Sequence, residues 1–373
     1  MGHRVPDWDE DGCLTLNVFC PLPALDDHAR PVLVWFHGGG FTSGSGGWDW
    51  YDGARLGALG DMVVVTANYR VGPLGYLYLP DIGADNLGLQ DQDAVLLWVR
   101  DNIAGFGGDP RNVTVGGQSA GAYSALALAV DEKTTGLATQ VLLESGPWGV
   151  SPQDPQDATE AAEAYLRVLD VPGGPDAGKA LRALPVEQLL SAYGQLATQL
   201  ARPESVAPPM YPVLGGARLR RTWQQALADG ALDGKVLLIG TTRDEMTAFI
   251  GVDSGIGNLT GESAVANLTD ALFRTGALEI ANHHARRGNS TYIYPFDHVP
   301  TGDGHALGAT HCSELPFLFG TFDAYPNSPM LGQPGAPERA LGHRFASAVA
   351  EFISTGAVRE WSPHTTGHVQ HFA

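Results

Sequence analysis

Basic residues, cysteines and long apolar runs are all scarce in this sequence of 373 residues. Lys and Arg number 22 against 41 Asp and Glu, which gives a formal net charge of −19 at pH 7. A field of this sign repels phosphate backbones and anionic lipid headgroups, so nucleic acid and membrane surfaces are not expected partners. The longest apolar runs, such as Pro31–Phe36 and Met62–Ala67, fall far short of the roughly 20 residues that a membrane helix needs.

The three cysteines, Cys13, Cys20 and Cys312, cannot all pair. Cys13 and Cys20 lie on one predicted extended segment, roughly 23 Å apart at about 3.3 Å per residue, which is too far for a disulfide. A disulfide framework is therefore not expected, and this favours a reducing compartment. The first residues contain no apolar stretch of the kind found in secretory signals, so we expect a cytoplasmic location, or a secreted one if the N-terminus is truncated.

The rest of the composition supports a large core, because 44% of the residues are hydrophobic and 48 glycines and 25 prolines are dispersed as turn formers. β-branched, apolar runs predict strands at Leu14–Phe19, Pro31–Phe36, Met62–Ala67, Asn112–Val115, Gln140–Glu144, Lys235–Ile239 and Thr291–Tyr294. Helical patterns lie at Leu89–Ile103, Ala120–Val130, Ala158–Leu169 and Arg344–Thr355. Apolar strands that alternate with helices predict an α/β fold with a mostly parallel sheet.

We expect one catalytic domain over residues 1–373, with a two-domain arrangement as the second possibility. Between 151 and 212 the strand signal fades, and Pro and Gly separate short Ala/Leu-rich helices. A second helical stretch covers about 261–287. Both are predicted to be helical insertions over one end of the sheet, and residues 326–337 are predicted to be a loop.

The segment Asn112–Tyr123 combines a predicted strand, the sequence Gly117-Gln118-Ser119-Ala120-Gly121 and a predicted helix. Glycines on both sides of Ser119 let the chain turn sharply enough for Oγ to project above the sheet, and the N–H of Ala120 then points at a developing oxyanion. The five-residue pattern alone is weak in a chain so rich in glycine. The strand before it and the helix after it favour a nucleophile elbow over a plain turn.

A second motif, His37-Gly38-Gly39-Gly40-Phe41, follows the predicted strand Pro31–Phe36. Acyl transfer puts negative charge on the former carbonyl oxygen, and a run of glycines lets backbone N–H groups approach that oxygen. Gly39 and Gly40 are the predicted donors. His37 precedes the loop and is expected to brace it by hydrogen bonding rather than to act as the base.

A serine hydroxyl needs a base, and the base needs a carboxylate that holds its tautomer and stabilises its cation. In α/β-hydrolases the acid follows the nucleophile and the histidine comes last. Asp244 and Glu245 lie at the end of a predicted strand, and His311 lies in a loop before an apolar segment. Either carboxylate could serve, with Asp303 and Glu314 next in line. No histidine pair has the HExxH spacing, so neither a metal nor another cofactor is expected.

The chain resembles the type-B carboxylesterases, the family that includes the cholinesterases. The matching motifs are Glu10-Asp-Gly-Cys-Leu-Thr-Leu-Asn-Val, His37-Gly-Gly-Gly-Phe, Val63-Val-Val-Thr-Ala-Asn-Tyr-Arg-Val-Gly, Asn86-Leu-Gly-Leu-Gln-Asp-Gln, Phe106-Gly-Gly-Asp-Pro and the elbow. The match loosens after Leu143-Glu-Ser-Gly and returns at Arg243-Asp-Glu and His311-Cys-Ser-Glu-Leu-Pro-Phe. The resemblance implies an α/β-hydrolase fold with Ser119 as nucleophile, Glu245 as acid, His311 as base, an oxyanion hole of Gly39, Gly40 and Ala120, and Gln118 as an inner-site residue.

Departures from the family pattern bear on the substrate. Only residues 1–9 precede the Glu10 motif, where the family has a longer segment with part of the gorge wall and a cysteine partner for the position of Cys13. Gln118 replaces the usual glutamate, Cys312 replaces the usual glycine, and the stretch between the acid and the base is short. We therefore expect a site that is open on the N-terminal side.

The expected activity is hydrolysis of small, uncharged carboxylic esters through an acyl-enzyme, with a small-molecule ester as the partner. The alternatives are an amidase or peptidase with the same triad, and a non-catalytic binding protein of this family. Phe41, Trp148 and Phe317 lie near the motifs and, with Gln118, are candidates for the substrate pocket.

Overall fold

The computed structural model describes residue 9 and residues 12–21, 29–202, 206–249, 262–301, 307–364 and 369–373. These residues form a seven-stranded sheet of β1 (Leu16–Phe19), β2 (Arg30–Phe36), β3 (Val63–Ala67), β4 (Gly108–Gln118), β5 (Gln140–Glu144), β6 (Val236–Thr242) and β7 (Thr291–Phe296). Each predicted strand is present, although β4 begins four residues earlier than predicted. The predicted α/β architecture is confirmed.

The sheet has the order β1-β3-β2-β4-β5-β6-β7 and is parallel except for β1, which pairs antiparallel with β3. Alternate residues of β2 face the two sides of the sheet. Val32 and Val34 pack in the core on one side, and Leu33 and Trp35 pack in the core on the other. All four side chains are fully buried, which explains the continuous apolar sequence. Because β2, β4, β5, β6 and β7 are parallel, their carboxyl ends lie along one edge of the sheet.

The described residues form the helices α1 (Ala54–Gly60), α2 (Gly72–Tyr76), α3 (Leu87–Asn102), α4 (Ala120–Val130), α5 (Pro155–Val168), α6 (Ala177–Arg182), α7 (Val186–Leu200), α8 (Trp223–Ala228), α9 (Glu262–Thr269), α10 (Thr275–Arg286), α11 (Leu315–Phe319) and α12 (Ala336–Thr355). The four predicted helices correspond to α3, α4, α5 and α12. The start of α12 lies inside the predicted loop 326–337, because Pro337 occupies its first turn, where a missing N–H costs nothing.

Helices α5, α6 and α7 occupy the first predicted helical region. Their apolar faces form a core with Phe41, Tyr76 and Tyr123, next to α4 and the glycine-rich loop after β2. In the second predicted helical region, a π-helix at 270–274 joins α9 to α10. Within the described ranges, no helix is long and apolar enough to cross a membrane.

The first turn of α4 lies unusually close to the end of β2. A Cβ built on Gly121 would be 2.0 Å from the carbonyl oxygen of Phe36 and 2.7 Å from that of His37. A Cβ on Gly117 would be 2.5 Å from the same Phe36 oxygen. Real side chains do not fit at these distances, so both glycines are required by the contact between β2, β4 and α4.

We therefore expect Gly121→Ala to lower the free energy of unfolding by about 3 kcal/mol or more, because the added methyl group must push α4 away from β2. Gly136→Ala is the matched control, since a Cβ at Gly136 meets no atom within 4 Å and a surface change of this kind stays within about 0.5 kcal/mol. Urea unfolding followed by circular dichroism measures both. Equal stability of the two variants would contradict the close contact.

Candidate active site

Every predicted catalytic residue lies at the carboxyl edge of the sheet or in a loop above it. Ser119 follows β4, Glu245 follows β6, and His311 lies in the loop between β7 and α11. The glycine-rich loop Gly38–Gly40 follows β2, and a Cβ built on Gly38 would be 3.1 Å from Cβ of Ser119. This edge is where α/β folds build their sites.

Ser119 has a strained backbone, with φ 58° and ψ −123°. A non-glycine residue at positive φ is uncommon, and such strain concentrates at functional positions. The turn is held because the N–H of Ser119 donates to Glu144 O at 2.8 Å, which continues the pairing of β4 with β5. Ser119 is partly exposed, while Gln118 and Ala120 on either side are fully buried. Its side chain is therefore presented to solvent at the top of the sheet.

Three carbonyl groups at the start of the loop after β2 accept hydrogen bonds. Tyr69 Oη donates to His37 O at 2.6 Å, and His37 Nδ1 donates to Gly38 O at 2.7 Å. The N–H groups of Thr42 and Ser43 donate to Gly39 O at 3.1 Å. Within the described residues, no backbone hydrogen bond uses the N–H of Gly39 or Gly40.

His37 lies beneath this loop. Burial lowers its pKa to about 4, although the hydrogen bond to Gly38 O acts in the opposite direction. The ring is therefore neutral at pH 7, and it stacks on Tyr69 with centroids 4.3 Å apart and an interplanar angle of 16°. These contacts agree with the expectation that His37 braces the loop.

Glu245 and His311 form a buried pair. His311 Nδ1 lies 2.5 Å from Glu245 Oε2, and Glu245 Oε1 accepts from the N–H of Thr242 at 2.8 Å. The Glu245 side chain is fully buried and that of His311 is 6% exposed. Burial acts to lower the pKa of His311, but neighbouring Cys312 and Glu245 raise it, and the net direction is upward.

Asp244 points away from the imidazole. Its Oδ2 accepts from the N–H of Ala309 at 2.9 Å and pairs with Arg243 at 2.8 Å. Asp244 therefore ties the end of β6 to the loop that carries His311. Of the two adjacent carboxylates, only Glu245 reaches the histidine. Asp303, another candidate acid, lies outside the described residues.

Two further carboxyl groups are buried beside this pair. Glu144 is fully buried at the end of β5, and Glu314 is 1% exposed, three residues after His311. Burial raises the pKa of Glu314 to about 8, and the charge of Glu245 adds to the shift. Burial and the charge of Glu314 raise the pKa of Glu144 well above its usual range. Burial therefore disfavours the charged form of both groups. Glu245, in contrast, has the imidazole and a backbone N–H as partners, so Glu245 fits the role of the acid better than Glu314 does.

Aromatic rings surround the histidine and the loop. Phe249 and Phe273 lie 5.3 and 5.1 Å from the His311 ring, and sequence reasoning missed both, because no motif marks them. Phe41 packs on Tyr76 and Tyr123, and Trp148 stacks on Tyr123.

Phe317 lies in a different place from the other pocket candidates. It lies on α11 and is 1% exposed in the core on the α12 side of the sheet. Its ring contacts Phe296, His298 and Phe322. Since these contacts enclose the ring, we leave Phe317 out of the proposed pocket. Gln118 lies against the histidine, with its Nε2 atom 3.2 Å from His311 Nε2.

No group of three potential metal ligands occurs within the described ranges. The arrangement instead offers a partly exposed serine at a strained turn, a buried carboxylate–imidazole pair and a glycine loop with unused N–H groups. These are the parts that nucleophilic acyl transfer needs.

Comparisons with known proteins agree with this geometry. The carboxylesterase family profile matches residues 3–259 and 258–373. A probable N-octanoylanthranilate hydrolase of Rhodococcus erythropolis is 37% identical over 95% of this chain and 79% of its own length. Para-nitrobenzyl esterase of Bacillus subtilis is 36% identical over 95% and 76%, respectively. A thermophilic PNB esterase structure superposes with a TM-score of 0.85 and 32% identity, covering 99% of this chain and 81% of its own. The chain therefore belongs to the carboxylesterase family and has the α/β-hydrolase fold.

Proposed function

We propose that residues 1–373 form one catalytic domain that hydrolyses small, uncharged carboxylic esters through an acyl-enzyme on Ser119. The main support is the strained, partly exposed Ser119 at the end of β4, beside the buried pair of Glu245 and His311. Family membership makes the chain an ester hydrolase. The roles of individual residues are our assignment.

In this mechanism His311 Nε2 accepts the hydroxyl proton as Ser119 Oγ attacks the ester carbonyl carbon. The tetrahedral intermediate collapses when the bond to the alcohol oxygen breaks, and the imidazolium returns the proton to the leaving alkoxide. A water molecule then attacks the acyl-enzyme with His311 as base, which releases the acid and restores Ser119. Glu245 holds the proton of the neutral imidazole on Nδ1 and stabilises the cation that forms.

The proposed oxyanion hole consists of the N–H groups of Gly39, Gly40 and Ala120. In a peptide unit the C=O and the N–H of the next residue point in opposite directions. Binding of Gly38 O by His37 and of Gly39 O by Thr42 and Ser43 therefore aims the N–H groups of Gly39 and Gly40 the other way. Ala120 is the first residue of α4, and its N–H has no partner within the helix.

The proposed preference for uncharged substrates is supported by the surroundings of the base. Gln118 is neutral, and the rings of Phe249 and Phe273 flank His311. Among the relatives, the para-nitrobenzyl esterase carries a name that denotes an uncharged aromatic group.

Amide hydrolysis is the second candidate. It is favoured by one relative, the N-octanoylanthranilate hydrolase, since an N-linked octanoyl group is an amide. The same triad can protonate a leaving nitrogen. The ratio of kcat/KM for an ester and its isosteric amide separates the two candidates, and a ratio below one would favour the amidase.

Ser119→Ala should lower kcat by about 10⁴-fold or more without unfolding the protein, because the hydroxyl is the nucleophile. Hydrolysis of a neutral acetate ester measures the loss. Covalent labelling by a fluorophosphonate, followed by intact-mass spectrometry, should occur in the wild type and be absent in the variant. Activity near the wild-type level in Ser119→Ala would reject the proposal.

Glu245→Gln should lower kcat by about 10²–10⁴-fold, because it keeps the shape of the side chain but removes the charge that stabilises the imidazolium. Asp244→Asn is the adjacent control and should mainly cost stability, on the order of 1 kcal/mol, through weaker bonds to Ala309 and Arg243. Steady-state kinetics and thermal unfolding separate the two effects. The opposite pattern would make Asp244 the acid.

Tyr69→Phe should lower kcat by about 10-fold with little change in KM, because loss of the bond to His37 O loosens the oxyanion loop. This loss is smaller than the roughly 10²–10³-fold loss that follows removal of an oxyanion donor itself. Tyr165→Phe is the control. It removes a similar buried bond, from Tyr165 Oη to Leu189 O, in the helical region 151–212. Equal activity of both variants would show that the Tyr69 hydroxyl does not support the loop.

A further inference from the structure

The side-chain amide of Gln118 lies between the base and the oxyanion loop. Gln118 is fully buried, and its Nε2 is 3.2 Å from His311 Nε2. Its Oε1 is buried, and a Cβ built on Gly38 would lie 2.6 Å from it. Within the described residues, Oε1 has no hydrogen-bond partner. The amide therefore contacts both His311 and the oxyanion loop, but only its N–H group makes a hydrogen bond.

The contact of His311 Nδ1 with Glu245 determines which group donates in the hydrogen bond between Gln118 and His311 Nε2. Since His311 Nδ1 faces the Glu245 carboxylate at 2.5 Å, the single proton of the neutral imidazole is on Nδ1. His311 Nε2 then carries a lone pair, and only the amide N–H of Gln118 can bond to it. This is the same lone pair that must accept the proton of Ser119. In the described part of the chain, no hydrogen bond joins Ser119 Oγ to His311.

We propose that Gln118 is a positioning residue that donates to the Nε2 lone pair of His311 in the resting enzyme and so opposes protonation of the base. This inference rests on the proposed function. Protonation of Nε2 would set an N–H of His311 against an N–H of Gln118, and two donors that face each other repel. The amide therefore opposes Glu245, which stabilises the cation. An ionised glutamate in place of Gln118 could only accept, and it would act together with Glu245.

Besides Glu245, five titratable groups of the described residues lie near His311, and of these Cys312 also raises the pKa of the imidazole. They come from the loop of His311 itself, from β5, from β7 and from the segment after β2, and they are Cys312, Glu314, Glu144, Tyr294 and Tyr51. Burial raises the pKa of both glutamates and both tyrosines, which disfavours their charged forms. Phe249 and Phe273 complete the surroundings with uncharged rings. A new charge at position 118 would therefore add to the effects of Glu245 and Cys312 on the imidazole.

The test compares Gln118→Glu, which adds a charge, with Gln118→Met, which removes the donor at similar volume. Gln92→Met is the control, because Gln92 is also a fully buried glutamine but lies on α3. The measurement is kcat/KM for a neutral acetate ester from about pH 4.5 to 9. The wild-type rate should fall on the acid side as His311 becomes protonated.

The midpoint of this fall should rise in the order wild type, Gln118→Met, Gln118→Glu, with a shift of about one pH unit or more for the carboxylate. Below the midpoints, one unit corresponds to a tenfold lower rate in Gln118→Glu. Gln92→Met should titrate like the wild type. Midpoints that agree within about 0.2 units for all four proteins would overturn the proposal and leave Gln118 as packing alone.

A second measurement covers the case in which Gln118→Glu does not fold. The rate of fluorophosphonate inactivation, followed against pH, reports the base in the free enzyme, and Gln118→Met alone then decides. An unshifted midpoint in that variant overturns the inference. Failure of the wild type to label at any pH would instead reject the proposed function, so the two outcomes are distinguishable.

Discussion

The candidate active site at the carboxyl edge of the sheet depends on the close approach of the first turn of α4 to the end of β2. With the Phe36 carbonyl oxygen this near to Gly117 and Gly121, α4 can neither slide nor tilt, and the chain must turn within the single residue Ser119. A backbone strain of about 1–3 kcal/mol at such a residue persists only where the surrounding packing and hydrogen bonds hold its conformation. The glycine loop leaves from the same end of β2, so one contact sets the relative position of the nucleophile and the oxyanion donors.

Electrostatics beneath this edge follow from burial more than from the number of acidic residues. Three carboxyl groups, on Glu144, Glu245 and Glu314, lie in one buried region. Two negative charges at short range in a medium of low dielectric repel strongly, and burial alone disfavours the charged form of each group. The group that has both an imidazole and a backbone N–H as partners, Glu245, is the one we expect to keep its charge. A cluster of three acids thus acts on His311 as a single anion.

The sequence predicted the architecture well because strand and elbow signals are local. The seven strands follow from short apolar runs, and α4 was predicted at its observed bounds. Local signals failed at Pro337, which suggests a loop in isolation but is tolerated in the first turn of α12. Contacts between distant segments could not be predicted, among them those of His311 with Phe273 and Gln118. No spacing rule connects such residues, since the fold alone brings them together.

The loop of His311 is fixed on several sides, which a general base requires because proton transfer depends on hydrogen-bond geometry. Asp244 binds the N–H of Ala309 at 2.9 Å, and Thr247 Oγ1 donates to Thr310 Oγ1 at 2.7 Å. Cys312 takes φ 71°, a conformation that costs an L-residue about 1–2 kcal/mol relative to glycine. Its side chain is 5% exposed and packs in the core on the α12 side of the sheet, and burial of the side chain offsets part of that cost. A glycine at this position would relieve the strain but lose the contact with the core. The departure from the family pattern therefore adds backbone strain at Cys312 and, in return, adds a side chain that packs in the core next to the base.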